Sequence, residues 1–504
     1  MMGVQRLLFL ALLMTFALVY GQDEVTEEGT IFSFQETSLN WVILKSSNGI
    51  KFTARNAHAT CIYQNKIWVT GGKTDLYKMY NTLYSFKAND VWSSSDGADW
   101  VQEVELKGDF FAQNADSLAN WELAPWYTRF GHTLSPIDMN GDGTEDAMIQ
   151  LGGFAPDPFN DVWITTDGQN WVYSGEAEWS PRGWHTANKF DNKLYIMGGS
   201  PLNNEVWVLD SVTQVARREP STRASYNTYK YETAWTFLGN AGWSPRAGMN
   251  VVSQWYFSPA NNETMANSTE RMVFTGGFGG YIMDEPNFDG YRARSDVWDT
   301  YDGITWNQVS DEAFDPRSWH TTQVLYSKND IKKDYADSAA ALDQPPRMWM
   351  VGGGYIGGST FNTKIATAMV GRTDMMFSRD GIEWTRVNYE QGDGKRGYDT
   401  FVQYFSSQEW TNTIVDSKVN YLGMWGMSSV FLNNTFIIIA GDKTGAGPLQ
   451  SETYAAQAGI LCDIEGNICS GHGTCTLVPK TAGCACEGGC TGVYCENCPE
   501  EAAV

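Results

Sequence analysis

Residues 160–171 read Asn-Asp-Val-Trp-Ile-Thr-Thr-Asp-Gly-Gln-Asn-Trp, and this stretch decides the fold because close copies of it recur along the chain. Residues 89–100 read Asn-Asp-Val-Trp-Ser-Ser-Ser-Asp-Gly-Ala-Asp-Trp, and residues 296–306 read Asp-Val-Trp-Asp-Thr-Tyr-Asp-Gly-Ile-Thr-Trp. In each copy an Asp-Gly pair, the dipeptide favoured in tight hairpin turns, separates two segments that carry tryptophan. The pattern predicts two antiparallel strands, c and d, in every copy.

Each copy also has an upstream half that predicts two more strands. An Arg-x-x-His-type start precedes strand a, and strand b ends in Gly-Gly, where residues without a side chain permit close backbone approach. Arg55, Arg129, Arg182, Arg246 and Arg317 mark repeats one to five, and the segment around Met427 forms a degenerate sixth repeat. Units of four strands that recur in this way are typical of a β-propeller.

The whole pattern closely resembles the kelch family over most of residues 31–455. The resemblance implies an all-β fold, a six-bladed kelch-like β-propeller. Repeat six lacks an Asp-Gly-x-x-Trp strand after Tyr454, whereas residues 37–42 near the N-terminus carry a matching Trp41. We therefore expect an N-terminal strand to close the ring as the outer strand of the last blade, which leaves no free sheet edge.

The first residues are typical of a secretory signal peptide. Arg6 precedes an apolar run that is too short for a membrane span, and Val19 and Gly21 supply small residues at a cleavage site. We expect residues 1–21 to be a signal peptide, residues 22–458 the propeller and residues 459–499 a cysteine-rich module. The protein is then secreted, without direct membrane insertion, and Asn262, Asn267 and Asn433 are predicted glycosylation sites.

Eight of the nine cysteines lie between Cys462 and Cys498, a density that indicates disulfides in an oxidising compartment. Spacing alone leaves their pairing open. The segment resembles an EGF-like module, and the resemblance implies the pairs Cys462–Cys475, Cys469–Cys484 and Cys486–Cys495. Cys490 and Cys498 are then expected to form an additional pair. Cys61 is left over and is expected to be a buried, inert thiol.

An acidic loop between strands a and b of repeat two predicts a structural calcium site. Oxygen-bearing residues recur with the spacing that a hard cation needs, and the predicted ligands are Asp138, Asn140, Asp142, Thr144 and Asp146. The loop resembles the calcium loops of integrin-type propellers. A helical calcium-binding hand is excluded because position 12 is Ile149, inside the next strand. The alternative is an acidic turn without metal.

The recurring Arg and His positions form a candidate site at the channel mouth. They are Arg55, His58, Arg129, His132, Arg182, His185, Arg317 and His320. Repetition favours structural hydrogen bonds at the start of strand a; the alternative is binding of an anion or a metal. No catalytic residue is assigned, since the chain has no zinc-protease, serine-hydrolase or phosphate-loop motif. Galactose oxidase also has kelch-like blades, but its cysteine-linked tyrosine would here require Cys61.

The charge balance disfavours nucleic acid, because 35 basic and 59 acidic residues give a net charge of −24. We expect an extracellular protein or glycan as partner, in a matrix, cell coat or appendage and as part of a larger extracellular assembly. The main hypothesis is a non-enzymatic interaction or structural protein. The alternatives are a secreted kelch-type copper oxidase and a carbohydrate-binding, lectin-like module.

Loop lengths predict which propeller face binds. We call the face with the a–b and c–d loops the a–b face; it carries the acidic loop and the predicted glycosylation sites. The opposite b–c face, with the b–c and d–a loops, receives insertions 101–128, 278–294, 354–373 and 385–423. These contain the aromatic residues Phe110, Phe111, Trp121, Trp126, Tyr127, Tyr281, Tyr291, Tyr355, Tyr404 and Trp410. Since long loops on a rigid scaffold commonly carry function, we expect binding on the b–c face.

Overall fold

The protein is a β-propeller. The computed structural model describes residues 42–44, 46–79, 82–105, 126–155, 157–216, 229–258, 261, 268–285, 288–325, 345–357, 368–371, 375–386, 425–432, 435–442, 449–457, 473–476 and 483–486. These residues contain no α-helix, and therefore none with the length and apolarity to cross a membrane. The predicted signal peptide, residues 1–21, lies outside the described residues.

The strands are numbered in chain order. β1 is Val42–Ile43. Repeat one forms β2 (Arg55–Asn56), β3 (Ala59–Tyr63), β4 (Lys66–Met79), β5 (Thr82–Ser94) and β6 (Val101–Val104). Repeat two forms β7 (Thr133–Ile137), β8 (Ala147–Phe154), β9 (Pro158–Thr165) and β10 (Val172–Glu176). Repeat three forms β11 (Thr186–Phe190), β12 (Lys193–Met197), β13 (Glu205–Ala216) and β14 (Tyr229–Asn240).

Repeat four forms β15 (Asn250–Tyr256), β16 (Thr269–Thr275), β17 (Phe278–Glu285), β18 (Phe288–Ala293), β19 (Val297–Thr300) and β20 (Asn307–Ser310). Repeat five forms β21 (Thr321–Leu325), β22 (Arg347–Val351), β23 (Gly354–Gly357), β24 (Ala368–Gly371), β25 (Met375–Ser378) and β26 (Thr385–Arg386). Repeat six forms β27 (Ser428–Leu432), β28 (Thr435–Asp442) and β29 (Leu449–Gln457). β30 (Gly473–Thr476) and β31 (Gly483–Cys486) follow in the cysteine-rich segment.

Five blade sheets are each built from one continuous stretch of chain, repeats one to five, with strands paired antiparallel in the order a-b-c-d. The strands of repeat six form a further sheet with β1, in the order β27-β28-β29-β1. In it Val42 lies opposite Ala455, and Ile43 lies opposite Tyr454. Trp41, on which the expected closure of the ring was based, lies outside the described residues.

The Asp-Gly pairs occur in longer connections than the tight turn that the sequence predicts. In repeat two, residues 166–171 separate β9 from β10. The Asp167 carboxylate accepts the backbone N–H groups of Gln169 and Asn170 there, and Gly168 donates to Thr165 Oγ1. The longer connection returns Trp171 to the core, where its indole N–H donates to the Gly168 carbonyl.

Aromatic pairs fill the space between neighbouring sheets. Each of repeats one to five carries an aromatic residue three positions before its arginine, and this ring packs edge-to-face against the tryptophan of strand d. Because the residue is Phe in two repeats and Trp in three, it was not part of the predicted repeat pattern. The pairs are Phe52–Trp100, Trp126–Trp171, Trp179–Trp235, Trp243–Trp306 and Phe314–Trp384. Such pairs contribute roughly 0.5–1.5 kcal/mol each beyond burial. Trp126 is therefore a core residue, 4% exposed, and not a loop contact.

Three b–c hairpins extend beyond the blade sheets on the b–c face. In repeat one, β4 and β5 continue their pairing as far as Met79 opposite Thr82. In repeats four and five, the insertions form the separate two-stranded sheets β17–β18 and β23–β24. β18 and β23 lie next to each other. The insertions of residues 278–294 and 354–373 thus contribute regular structure to this face.

Candidate functional site

The five repeated arginines are buried, and Arg55, Arg129, Arg182 and Arg246 bind carboxylates within their own repeats. Arg55 donates to both oxygens of Asp90 at 2.8 Å and to the Gly71 carbonyl at 2.8 Å. Arg129 and Arg246 bind both oxygens of Asp161 and Asp296 in the same way, whereas Arg182 donates to one oxygen of Glu205 and to Asn203 Oδ1. Each of the five arginines also donates to the carbonyl of the first glycine in its Gly-Gly pair. The guanidinium groups are thus held within the protein.

The Asn-Asp-Val-Trp motif completes this arrangement. The acidic residue also accepts the indole N–H of the tryptophan two positions later, as in Trp92 to Asp90 and Trp163 to Asp161. The asparagine side chain reaches into the following repeat: Asn89 donates to the Trp126 carbonyl at 3.2 Å. Neighbouring residues of strand c therefore bind the arginine of their own repeat and the backbone of the next repeat.

The repeated histidines join neighbouring repeats. Each Nε2 is hydrogen-bonded to a hydroxyl of the preceding repeat, and His58 reaches back to repeat six. The pairs are His58–Ser428 at 2.6 Å, His132–Thr70 at 2.8 Å, His185–Thr133 at 2.9 Å and His320–Thr275 at 2.9 Å. Burial, reinforced by the nearby arginine, lowers the pKa of His58, His185 and His320 to about 3 and that of His132 well below its ordinary value. The imidazoles are therefore neutral near pH 7.

The Gly-Gly pairs allow this contact between repeats. The N–H of Gly72 donates to the Arg129 carbonyl of the next repeat at 2.8 Å, and Gly153, Gly199 and Gly277 make the same bond. A Cβ on Gly71 would lie 2.7 Å from His132 Cε1, and Gly71 has φ +57°. The structure thus arranges the eight predicted channel-mouth residues around one ring. The polar partners described above for these residues are other groups of the protein.

The acidic loop of repeat two is solvent-facing and closed by its own side chains. Asp138 accepts the N–H groups of Gly141 and Gly143 at 2.7 Å, Asn140 accepts that of Asp142, and Asp142 accepts that of Thr144. Asp146 accepts the N–H of Met139. Desolvation acts to raise the pKa of Asp138, but the backbone N–H donors together outweigh it and lower that pKa. In the described part of the chain, no cluster of three or more His, Cys, Asp or Glu side chains is placed to hold a metal ion.

Several predicted sites lie outside the described residues. These are Asn262, Asn267 and Asn433, and the side chains of Cys462, Cys469, Cys475, Cys484, Cys486, Cys490, Cys495 and Cys498. The backbone of the cysteine-rich segment forms the hairpin β30–β31, in which Cys475 lies opposite Cys484. Cys61 is a buried free thiol, 3.6 Å from the sulfur of Met148, and burial raises its pKa.

A closed ring of backbone hydrogen bonds surrounds the channel where the inner strands begin. It runs through the residue before each His position, in which every N–H donates to the carbonyl of the preceding repeat at 2.6–3.2 Å. The six members are Ala57, Gly131, Trp184, Gly248, Trp319 and Gly426. All six have φ between +52° and +65°. This left-handed conformation is unusual for a bulky residue such as Trp184 or Trp319 and is found at functional sites.

The two strained tryptophans belong to a cluster of six aromatic rings, which we call the platform. Trp184 contacts Phe130, Phe154, Phe278 and Trp319, with ring centroids 5.1–6.2 Å apart, and Trp319 contacts Trp425 at 5.6 Å. The platform consists of Phe130, Phe154, Trp184, Phe278, Trp319 and Trp425, from repeats two to six. All but Phe278 are partly exposed.

The platform lies at the b–c end of the central channel, because its residues begin the inner strands or follow Gly-Gly pairs. The channel encloses a cavity of about 600 Å³ lined by the inner strands of all the repeats, with Trp184 and Trp319 at the platform end and Lys189 and Gln323 towards the other. Each platform position carries an aromatic residue in only two of the repeats, so the repeat pattern did not reveal it. A signal did exist: in Arg-Gly-Trp-His and Arg-Ser-Trp-His, tryptophan occupies a position that is otherwise small.

Comparisons with known proteins identify no family. No protein-family model matches the chain, and no curated protein matches it. Among solved structures, the chain is similar to one titled "Structure of YjhT", with 13% sequence identity, 80% of this chain and 95% of that chain covered, and a TM-score of 0.43. The chain's own residues therefore carry the functional proposal.

Proposed function

We propose that this is a secreted, non-enzymatic interaction protein that binds an extracellular protein or glycan through its b–c face. The observation that carries the proposal is the platform: partly exposed aromatic rings at the centre of that face, with two tryptophans in strained backbone conformations. Buried aromatic anchors commonly dominate binding interfaces. The long hairpins around the platform supply the additional area that a stable complex needs, roughly 800 Å² per partner.

The test is partner capture by the full-length protein from extracellular material of its source, with a glycan array in parallel. Trp184→Gly should abolish most of the partner capture, because it removes the ring that contacts four others. Trp255→Ala is the matched control, since Trp255 is 47% exposed and lies at the a–b end of its strand. If Trp255→Ala abolishes binding and Trp184→Gly does not, the b–c face is the wrong face.

We also propose a six-bladed kelch-like ring closed by β1. The pairing of Val42 with Ala455 supports closure, and so does the ring of six backbone hydrogen bonds, which returns from Gly426 to Ala57. An EGF-like module at residues 459–499 with four disulfides is part of the same proposal. The hairpin β30–β31 is compatible with it, and the cysteine density indicates secretion.

Calcium in the acidic loop is proposed as a structural ion bound by Asp138, Asn140, Asp142, Asp146 and the Thr144 carbonyl. The loop already turns its oxygen-bearing side chains around successive backbone N–H groups. Calcium should raise the melting temperature of the protein relative to chelator, and Asp142→Ala should remove that difference. Equal melting temperatures in calcium and chelator would contradict the site.

The copper-oxidase alternative has weaker support. The Cys61 side chain packs in an apolar cluster with Tyr63, Leu134 and Met148 between repeats one and two. Copper analysis of the purified protein separates this alternative from the interaction protein. The glycan array distinguishes a glycan partner from a protein partner, and the chemistry of the platform bears on the same choice.

A further inference from the structure

We propose that the platform and the lysine pair beside it bind an acidic, apolar segment of a protein partner. The inference rests on the proposed function, because it names the kind of partner that the b–c face receives. Binding of such a segment requires exposed apolar rings, positive charge beside them, and a surface that suits protein side chains better than sugar hydroxyl groups.

The cationic edge comes from the long hairpin of repeat one. Lys73 and Lys87 lie directly opposite each other on β4 and β5. Lys73 Nζ is 4.1 Å from the centroid of the Phe130 ring and 5.8 Å from that of Trp184, and Lys87 Nζ is 5.8 Å from that of Phe130. Both ammonium groups therefore lie against the platform.

Two like charges in direct cross-strand register destabilise a hairpin unless something else balances them. Partial burial adds to this, since desolvation lowers the pKa of Lys87. Among the described side chains, no carboxylate forms an ion pair with Lys87. In a chain of net charge −24, the Lys87 ammonium is a local positive charge beside the platform, and an incoming carboxylate would pair with it.

The platform offers few hydrogen-bond partners to a sugar. The indole nitrogens of Trp184, Trp319 and Trp425 are buried and have no hydrogen-bond partner, so they are not presented to a ligand's hydroxyl groups. The six N–H and six carbonyl groups beneath them are used within the backbone ring. A hydroxyl group placed here would lose its water without a replacement hydrogen bond, whereas an apolar side chain would not.

The surroundings also favour a polypeptide. The hairpins β17–β18 and β23–β24 rise from the same face, with β18 beside β23, and the repeat-one hairpin carries the lysines. A chain segment lying between these hairpins could place an apolar residue on the rings and an acidic neighbour against Lys73 and Lys87. This arrangement is an anchored centre with a polar edge, as in other protein interfaces.

The test uses the full-length protein and a random peptide library displayed on phage. Panning should enrich peptides that combine Asp or Glu with Trp, Phe or Leu. A synthetic peptide of the enriched sequence should bind more weakly as salt rises. Lys73→Met and Lys87→Met should each weaken its binding about tenfold, because each removes a charge and keeps an apolar stem.

Lys66→Met is the matched control: Lys66 also lies over a ring, that of Trp68 at 5.9 Å, but at the other end of β4, so binding should be unchanged. Trp184→Gly is the second variant and should abolish binding of the same peptide. Melting curves check that each variant is folded.

The outcomes separate this inference from the proposed function. Neutral peptides that bind tightly, lose binding with Trp184→Gly and ignore the lysine variants would overturn the acidic partner and leave the b–c face intact. Peptides that ignore all three variants would overturn both. No enrichment at all, or tighter binding of an anionic oligosaccharide than of any selected peptide, would overturn the proposed partner class.

Discussion

At the b–c end of the channel, residues shared by nearly all repeats and aromatic residues found in only two repeats have opposite roles. Arg129 and His132 recur in nearly every unit, and both are buried and bound to neighbouring protein groups. Phe130, between them, has an aromatic counterpart only in Trp425, and both rings are partly exposed in the platform. In this propeller, repetition therefore marks contacts that join the sheets, whereas departure from the repeat marks the surface available to a partner.

The largest expected effect is loss of a repeated arginine. Arg129→Met leaves the Asp161 carboxylate largely buried without its partner and removes the bond to the Gly152 carbonyl, so the free energy of unfolding should fall by about 3–5 kcal/mol. Lys230→Met is the control, because the Lys230–Glu232 pair is exposed and such pairs contribute about 0–1 kcal/mol. Chemical denaturation measures both. A similar small loss in both variants would show that the repeated pairs do not hold the sheets.

Each buried histidine predicts an intermediate, pH-dependent effect. Their folded-state pKa lies near 3 and their unfolded value near 6.5, so below pH 6.5 the unfolded chain takes up protons that the folded protein excludes. Stability is therefore complete above pH 6.5 and falls as pH drops from there towards about 3. Each buried histidine contributes up to about 1.4 kcal/mol per pH unit.

Denaturation between pH 6 and 4.5 tests this best, because most carboxylates keep their charge there. His185→Gln should make the loss of stability with pH less steep, since it removes one protonation site. If stability is flat across this window in the unsubstituted protein, the histidines are not held neutral as described.

The smallest effect on stability is expected at the platform. Trp184→Gly loses ring contacts of roughly 0.5–1.5 kcal/mol each, but it also relieves the strained backbone and matches Gly131, Gly248 and Gly426 in the ring. The net change in unfolding free energy should stay within about 2 kcal/mol. A loss as large as that of Arg129→Met would mean that the platform is a structural plug rather than a binding surface.

The sequence by itself determined the strand order within each repeat and the position of the a–b and b–c faces. It could do so because Gly-Gly, Asn-Asp-Val-Trp and Asp-Gly recur at fixed offsets, and each reports a local backbone requirement. Part of the candidate site was also foreseeable from sequence: the insertions at residues 278–294 and 354–373 were assigned to the b–c face, where they form hairpins.

Only the tertiary structure decided which side chains are hydrogen-bonded within the protein and which remain exposed to a partner. His132 takes its hydroxyl from the strand-b residue Thr70, but His185 takes it from the strand-a residue Thr133, so no single spacing predicts the partner. The platform likewise gathers residues from five repeats whose positions 130 to 425 span much of the chain. Local sequence patterns specify hairpins, but the arrangement of the sheets around one axis brings side chains that are distant in sequence together at its end.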